Sequence, residues 1–262
     1  MQKVLTIAGS DCSGGAGIQA DLKTIMAHGA YGMSVITALT AQNTTGVFAV
    51  HPVEASFLTA QLDAVFSDLE PDAVKIGMIS NVDAILAVSG RLQHYHAKNI
   101  VIDPVMAATS GAALTSLDVL QEAGKELFSC AALLTPNMQE AQALSSVTIK
   151  DRDSMQEAAY VIAQKYGCAV LCKGGHQQDT ADDVLYDKGT YYWFERKHVD
   201  NPNTHGTGCT LSSAIACNLA DGLRLSDAVR RAKDYLTGAI LDGLDLGHGR
   251  GPLNHGYLWN AV

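Results

Sequence analysis

Apolar residues recur along this chain with two alternating periods. Short runs of aliphatic and β-branched residues over 4–8, 35–39, 73–76, 100–106, 132–135 and 169–173 fit strands buried on both faces. Between them, apolar positions three and four apart predict helices over 18–26, 53–69, 82–92, 117–128, 155–166 and 208–220, and a last one from 226 to about 244. Ile18, Leu22 and Ile25 share one face of the first, and Phe57, Leu58, Leu62, Val65 and Phe66 share one face of the second. Ser226-Asp227 reads as the cap of the last. Residues 184–186 and 191–195 form a predicted hairpin turned through Asp187-Lys188-Gly189. Strand and helix alternate nearly throughout. The predicted fold is therefore α/β, with a mainly parallel central sheet and helices on both faces, an α/β/α three-layer arrangement. No linker, repeat or low-complexity segment interrupts it, which predicts a single domain over 1–262.

Small and polar residues gather at the predicted strand ends, where open α/β sheets bind ligands. The sharpest break is Asn203-Thr204-His205-Gly206-Thr207-Gly208-Cys209, a loop feeding a buried helix. Gly206 and Gly208 leave the amides of the first helical turn open to an anion, with the Cys209 thiol at the mouth. The same Gly-Thr-Gly also fits a plain turn and cap, and it lacks the Gly-Lys-Ser/Thr ending of a P-loop. A second glycine loop, 9–17, follows the first strand without the Gly-x-Gly-x-x-Gly spacing of a dinucleotide site. Asp21, in the first turn of the next helix, either complements the helix dipole or faces a substrate. Gln42 has the donors and acceptor to read an aminopyrimidine edge, while a glutamine in such a loop is more commonly just exposed. Asp103 closes an apolar strand, where an ionised carboxylate needs a partner or a hydrated metal ion. Residues 107–111 are small and suit a lid. Asn137 and Glu140 can face one side of a starting helix, and equally make an N-cap with its N3 partner. Lys173 ends a strand beside Gly174 and Gly175, in the manner of a phosphate contact.

Composition narrows the partners. A net charge of −9 argues against a nucleic-acid or anionic-membrane surface, so an anionic substrate would rely on local donors. Six cysteines include no Cys-x-x-Cys pair, which argues against a zinc ribbon. With no stretch resembling a signal peptide and none of transmembrane length, a cytoplasmic protein with reduced thiols is expected.

Six stretches, in order, resemble one family. They are Ala8-Gly9-Ser10-Asp11 with 13–21, Thr40-Ala41-Gln42-Asn43-Thr44, Lys75-Ile76-Gly77-Met78, Thr135-Pro136-Asn137 with Glu140-Ala141, Lys173-Gly174-Gly175-His176, and His205-Gly206-Thr207-Gly208-Cys209. Together they are similar to the hydroxymethylpyrimidine/phosphomethylpyrimidine kinases of thiamine biosynthesis, which have a ribokinase-like fold. The resemblance runs from about Val4 to Gly249-Arg250-Gly251-Pro252. It implies ATP- and Mg²⁺-dependent phosphorylation of 4-amino-5-hydroxymethyl-2-methylpyrimidine and then of its monophosphate. It implies that the amides of Gly206, Thr207, Gly208 and Cys209 hold the transferring phosphoryl group. Cys209 would act as a thiolate base of lowered pKa, since a helix N-terminus favours the anion. Asp103 and Glu140 would hold Mg²⁺ largely through water, and Asn137, Lys173, Gly174 and Thr207 would contact ATP. Gln42, Asp21, Met78, Gly9 and Ala16 would surround the pyrimidine, while the adenine pocket falls to the hairpin and C-terminal helices. Relatives are commonly dimers, which implies a homodimer. The alternative is a pyridoxal or pyridoxine kinase of the same fold. Close relatives with that activity carry a second cysteine in the segment matching 107–111, absent here, and many pyrimidine kinases have Lys where Thr109 stands. A non-catalytic ligand-binding protein is the reading from another class, and the intact set Asp103, Asn137, Glu140, Lys173 and Cys209 argues against it.

Overall fold

The structure, a computed structural model, describes residues 1–106, 119, 124–174 and 181–260. Its strands are β1 (Lys3–Asp11), β2 (Tyr31–Asn43), β3 (Gly46–Pro52), β4 (Ala73–Ile76), β5 (Ile100–Ile102), β6 (Leu133–Leu134), β7 (Ala169–Cys172), β8 (Asp183–Asp187) and β9 (Thr190–Phe194). They form one sheet in the order β3-β2-β1-β4-β5-β6-β7-β8-β9. Pairing is parallel from β2 across to β7, while β3, β8 and β9 are antiparallel additions at the two edges.

Side chains alternate across the pleat, so each central strand supplies both faces. On one face Leu5, Ile7, Val74, Ile76, Ile100 and Ile102 pack under α2 (Ala55–Phe66), α3 (Val82–His94), α4 (Gly124–Phe128), α5 (Met138–Ser145) and α6 (Arg152–Tyr166). On the other, Val4, Ala73, Val101, Leu133 and Leu171 pack under α1 (Gly17–Ala27), α7 (Thr207–Ala220) and α8 (Leu225–Leu241). This is the expected three-layer arrangement. From β1 the chain goes first to β2 on one side and later to β4 on the other. The sheet therefore reverses its winding beside β1, the place where a crevice opens at the strand ends.

Four expectations need correction. β3 was not anticipated: residues 46–52 are mostly exposed and join the sheet through backbone pairing to β2, so no alternating core face marks them. β1 continues to Asp11, because Ser10 and Asp11 resume pairing with Leu39 and Thr40 after an irregularity at Ala8. Ser226-Asp227 is not the cap of α8: Arg224 is the N-cap, with no side-chain cap, and Asp227 instead accepts from Arg224 Nε at 2.9 Å within the first turn. β5 stops at Ile102, short of the predicted 106, since Pro104 has no N–H to extend a ladder. The segments 107–111 and 175–176, with Thr109 and His176, lie outside the described residues. Among the described residues no helix is long and apolar enough to cross a membrane.

Candidate active site

A cleft of ≈ 1730 Å³ lies across the carboxyl ends of the parallel strands. Sheet order arranges its polar groups as a ruler. Gln42 comes from β2, Gly9 and Asp11 from β1, Lys75 and Met78 from β4 and its exit, Asp103 from the end of β5, Asn137 from beyond β6, and Lys173 from the end of β7. Neighbouring strands are about 4.8 Å apart, so the two ends of this row are separate subsites. The N-terminus of α7 meets the middle of the row.

α7 begins at Gly206, which has φ +85, a conformation that suits glycine. A Cβ there would also stand 2.0 Å from Gly15 O, so the two glycine loops touch. The amides of Gly206, Gly208 and Cys209 donate to no acceptor among the described residues, whereas Thr207 N reaches Thr204 O at 3.3 Å. Behind the loop, a Cβ on Gly208 would lie 2.9 Å from Asp103 Oδ2. Glycine here keeps that carboxylate oxygen open to the cleft.

Asp103 is paired as its burial requires. Its Oδ1 accepts from Lys173 Nζ at 2.7 Å and from Thr135 Oγ1 at 3.0 Å. Asn137 and Glu140 make the capping box of α5: Asn137 Oδ1 accepts from Glu140 N at 2.9 Å, and Glu140 Oε2 accepts from Asn137 N at 2.8 Å. Both nevertheless line the cleft, so the cap and the site are one arrangement. Burial pushes the Glu140 carboxyl up to about 7 against the pull of Lys173, and neighbouring Asp103 adds to the rise. Two carboxylates thus share one ammonium.

On the other side of the middle lies a closed network. Asp21 and Lys75 are both 0% exposed. Lys75 Nζ donates to Asp21 Oδ1 at 2.9 Å and Oδ2 at 2.8 Å. Thr6 Oγ1 (2.6 Å) and Ser213 Oγ (2.8 Å) fill the rest of that carboxylate. Farther along, Asp11 accepts from Ser13 N, Gly15 N and Ala16 N, and its Oδ2 is 2.9 Å from His205 Nε2. Burial opposes the charge on Asp11, but hydrogen bonds from His205, Ser13 and Gln42 hold its carboxyl far below the usual range. This one side chain ties the first glycine loop to the loop before α7.

The model of a family described as phosphomethylpyrimidine kinase matches residues 11–254. The chain belongs to the phosphomethylpyrimidine kinase family. It is 49% identical over 259 residues to the hydroxymethylpyrimidine/phosphomethylpyrimidine kinase of Rhizobium meliloti, covering 97% of each. It is 47% identical over 253 residues to the thiamine biosynthesis bifunctional protein ThiED of Geobacter sulfurreducens, covering 96% of this chain and spanning about half (52%) of that protein. In three dimensions it is similar to an ADP complex of Bacillus subtilis pyridoxal kinase, with a TM-score of 0.91, 38% identity and 99% of each chain covered. The fold is thus the ribokinase-like one that the motifs implied.

Most residues expected at a phosphomethylpyrimidine kinase site come together here. Gly9, Ala16, Gln42, Met78, Asp103, Asn137, Glu140, Lys173, Gly206, Thr207, Gly208 and Cys209 all line the one cleft. Two do not. Asp21 lies in the second turn of α1, so it neither caps the dipole nor reaches the cleft, and all of its acceptor capacity is spent on Lys75, Thr6 and Ser213. Gly174 is packed so that a Cβ would stand 2.1 Å from Asp182 O, and its amide donates to Asp183 Oδ1 at 2.9 Å. A third correction concerns charge. Cys209 opens partly to the cleft, yet burial pushes its thiol up to about 11, outweighing the nearby Lys75 and the Gly17 amide. At neutral pH it is a thiol.

Three features of the site escaped the sequence reading. Lys75 sits in an all-buried strand between Val74 and Ile76, and that isolated charge was the available signal. Asp11 and His205 stood in motifs without an assigned task. The far arm of the cleft is lined by Val199, Pro202, Leu236 and Ile240, beside the buried pair Lys233–Asp183 at 2.6 Å. These residues follow the hairpin and sit on α8, the general region assigned to adenine.

Proposed function

We propose that the protein transfers the γ-phosphoryl group of ATP to 4-amino-5-hydroxymethyl-2-methylpyrimidine and then to the resulting monophosphate. The observation that carries this reading is the order of groups along the sheet. A ring site of Gly9, Gln42, Ala16 and Met78 lies at one end, free amides at the start of α7 in the middle, and Asn137, Lys173 and an apolar arm at the other. Met78 packs over Gly9, whose Cβ would stand 2.7 Å from the Met78 methyl, which suits a flat ring against them. Gln42 offers paired donor and acceptor positions to an aminopyrimidine edge. The apolar arm suits adenine, and Lys173 and Asn137 suit the intervening phosphates.

Phosphoryl transfer needs positioning and neutralisation of spreading charge. The amides of Gly206, Gly208 and Cys209, at the positive end of α7, would bind the phosphoryl oxygens. The hydroxyl oxygen bonds to the γ-phosphorus as the bond to ADP breaks, and its proton passes to the Cys209 thiolate. Because burial raises that thiol, the thiolate is the minor form at pH 7 and kcat/KM should climb with pH toward 11.

The residues fit Mg²⁺. Glu140 and Asp103 face a single ammonium, and Gly208 leaves Asp103 Oδ2 uncovered. Among the described residues no cluster of three or more His, Cys, Asp or Glu converges as direct ligands. That accords with an ion held by one or two carboxylates, water and substrate phosphates. When bound, Mg²⁺ would neutralise phosphate charge. Exposed Phe48 and Val50 on the edge strand β3 support the further proposal of a homodimer, which sedimentation equilibrium would test.

The test is ATP consumption with Mg²⁺ and, in parallel, hydroxymethylpyrimidine, its monophosphate and pyridoxal. Turnover on both pyrimidines with little on pyridoxal is expected. Turnover on pyridoxal alone would replace the substrate assignment while leaving the phosphoryl-transfer site intact.

A further inference from the structure

Among the described residues Lys75 is the largest completely buried side chain, and it stands on β4 in the interior of the sheet. An ammonium carries three N–H donors. Asp21 takes two, and Lys75 donates to nothing else among the described residues. Yet Lys75 lines the cleft. Its Nζ curls back toward the carboxyl end of the strand, where a Cβ on Gly77 would be 2.9 Å away. With Asp21 taking two, the third N–H has no acceptor among the described residues, and the cleft that Lys75 lines is where one can be supplied.

Two helices locate that donor. Gly17 and Asp21 are one turn apart on α1, and Cys209 and Ser213 are one turn apart on α7. The lower tier is joined by Ser213 Oγ to Asp21 at 2.8 Å, and in the upper tier the Gly17 amide lies close enough to Cys209 to favour its thiolate. Lys75, held by the lower tier, therefore lies directly beneath the Cys209 tier. Along the sheet it falls between the ring site on β2 and β1 and the carboxylate on β5. That is where an acceptor oxygen must meet a phosphoryl group.

We propose that Lys75 is a catalytic residue whose third N–H donates to the acceptor oxygen of the pyrimidine substrate, with Asp21 as its positioning residue. This rests on the kinase reading above. Lys75 stays protonated throughout: the oxygen forms its bond to phosphorus, ADP leaves, the proton goes to Cys209, and the ammonium balances charge on the oxygen as that proton departs. Burial works against the ammonium, but Asp21 beside it holds it well above the usual lysine range, so it stays a donor at any working pH.

The test uses the full chain and the double variant Lys75→Met/Asp21→Asn, which removes both charges together. Calorimetry compares hydroxymethylpyrimidine with 4-amino-2,5-dimethylpyrimidine, which lacks the reacting oxygen, and a coupled assay gives kcat. A folded variant should bind the dimethyl compound like wild type, bind hydroxymethylpyrimidine about 10-fold more weakly, and lose about 10²-fold or more in kcat. Equal weakening of both ligands, or unchanged kcat, overturns the proposal. If the variant does not fold, the wild-type protein still decides. A donor left unpaired should make it prefer hydroxymethylpyrimidine by about 10-fold or more, and equal affinities overturn the proposal. Wild-type failure to phosphorylate hydroxymethylpyrimidine would instead strike the kinase reading itself.

Discussion

The two halves of the cleft floor handle buried charge in opposite ways. Beneath the proposed ring site, Asp21 and Lys75 balance each other, and every acceptor position of Asp21 is filled. Beneath the proposed phosphate site, Lys173 pairs with Asp103, and burial, with Asp103 adding to it, pushes nearby Glu140 up to about 7 against the pull of Lys173. The first half is balanced in charge by itself, with one Lys75 N–H to spare, and can act as a rigid support. The second carries an unmatched carboxylate, as a site would if it takes its missing charge from a ligand. A closed network confers order, whereas an open one confers affinity.

The comparison breaks most readily at Asp21. Asp21→Ala strands a buried ammonium and should cost about 3–5 kcal/mol, read from guanidinium unfolding. A loss below about 1 kcal/mol would mean the pair is not the closed unit described.

The open half should answer to pH. Glu140 holds its proton more tightly folded, at about 7, than unfolded. Its stabilising contribution is therefore complete below the unfolded value of about 4.3 and fades as pH rises through 7, by up to about 4 kcal/mol. Unfolding of wild type against Glu140→Gln from pH 4 to 8 checks this. The difference should shrink when Mg²⁺ and ATP are added, and a pH-independent difference would remove the charge imbalance.

Between the halves, Cys209→Ala should lower kcat by about 10²-fold or more without a comparable loss of stability. Near-normal turnover takes the thiol out of proton transfer. The smallest change expected is at the ring end. Gln42→Leu should raise the pyrimidine KM by about 10-fold, through an unpaired ring edge, and leave the ATP KM alone. Equal effects on both would end the assignment of Gln42.

Legibility in the sequence followed the same division. Strand β4 was placed at its observed ends, because Ala73, Val74 and Ile76 form an apolar run closed by a glycine. Asp103, Glu140 and Lys173 were visible as charges at strand or helix ends, where burial demands a reason. The closed half was harder. Asp21 looked like an ordinary first-turn acid until α1 was seen to begin at Gly17, and its partner lies 54 residues away. The raised Cys209 thiol was missed because local position predicts a helix-terminal anion, while the desolvation that outweighs it comes from distant elements. β3 was hidden because an edge strand with mostly exposed side chains has no buried face to set a period.

The bond from Ser213 to Asp21 spans 192 positions, and that from His205 to Asp11 spans 194. On a ribosome adding about 5–20 residues per second, the early partners wait roughly 10–40 s for the late ones. During that interval the nascent chain carries a half-built floor, with Asp21 and Lys75 in place and their ceiling still unsynthesised. Completion of the proposed catalytic centre is thus one of the last events in this protein's biogenesis, and truncated products stalled before α7 should be inert however well their sheet has formed.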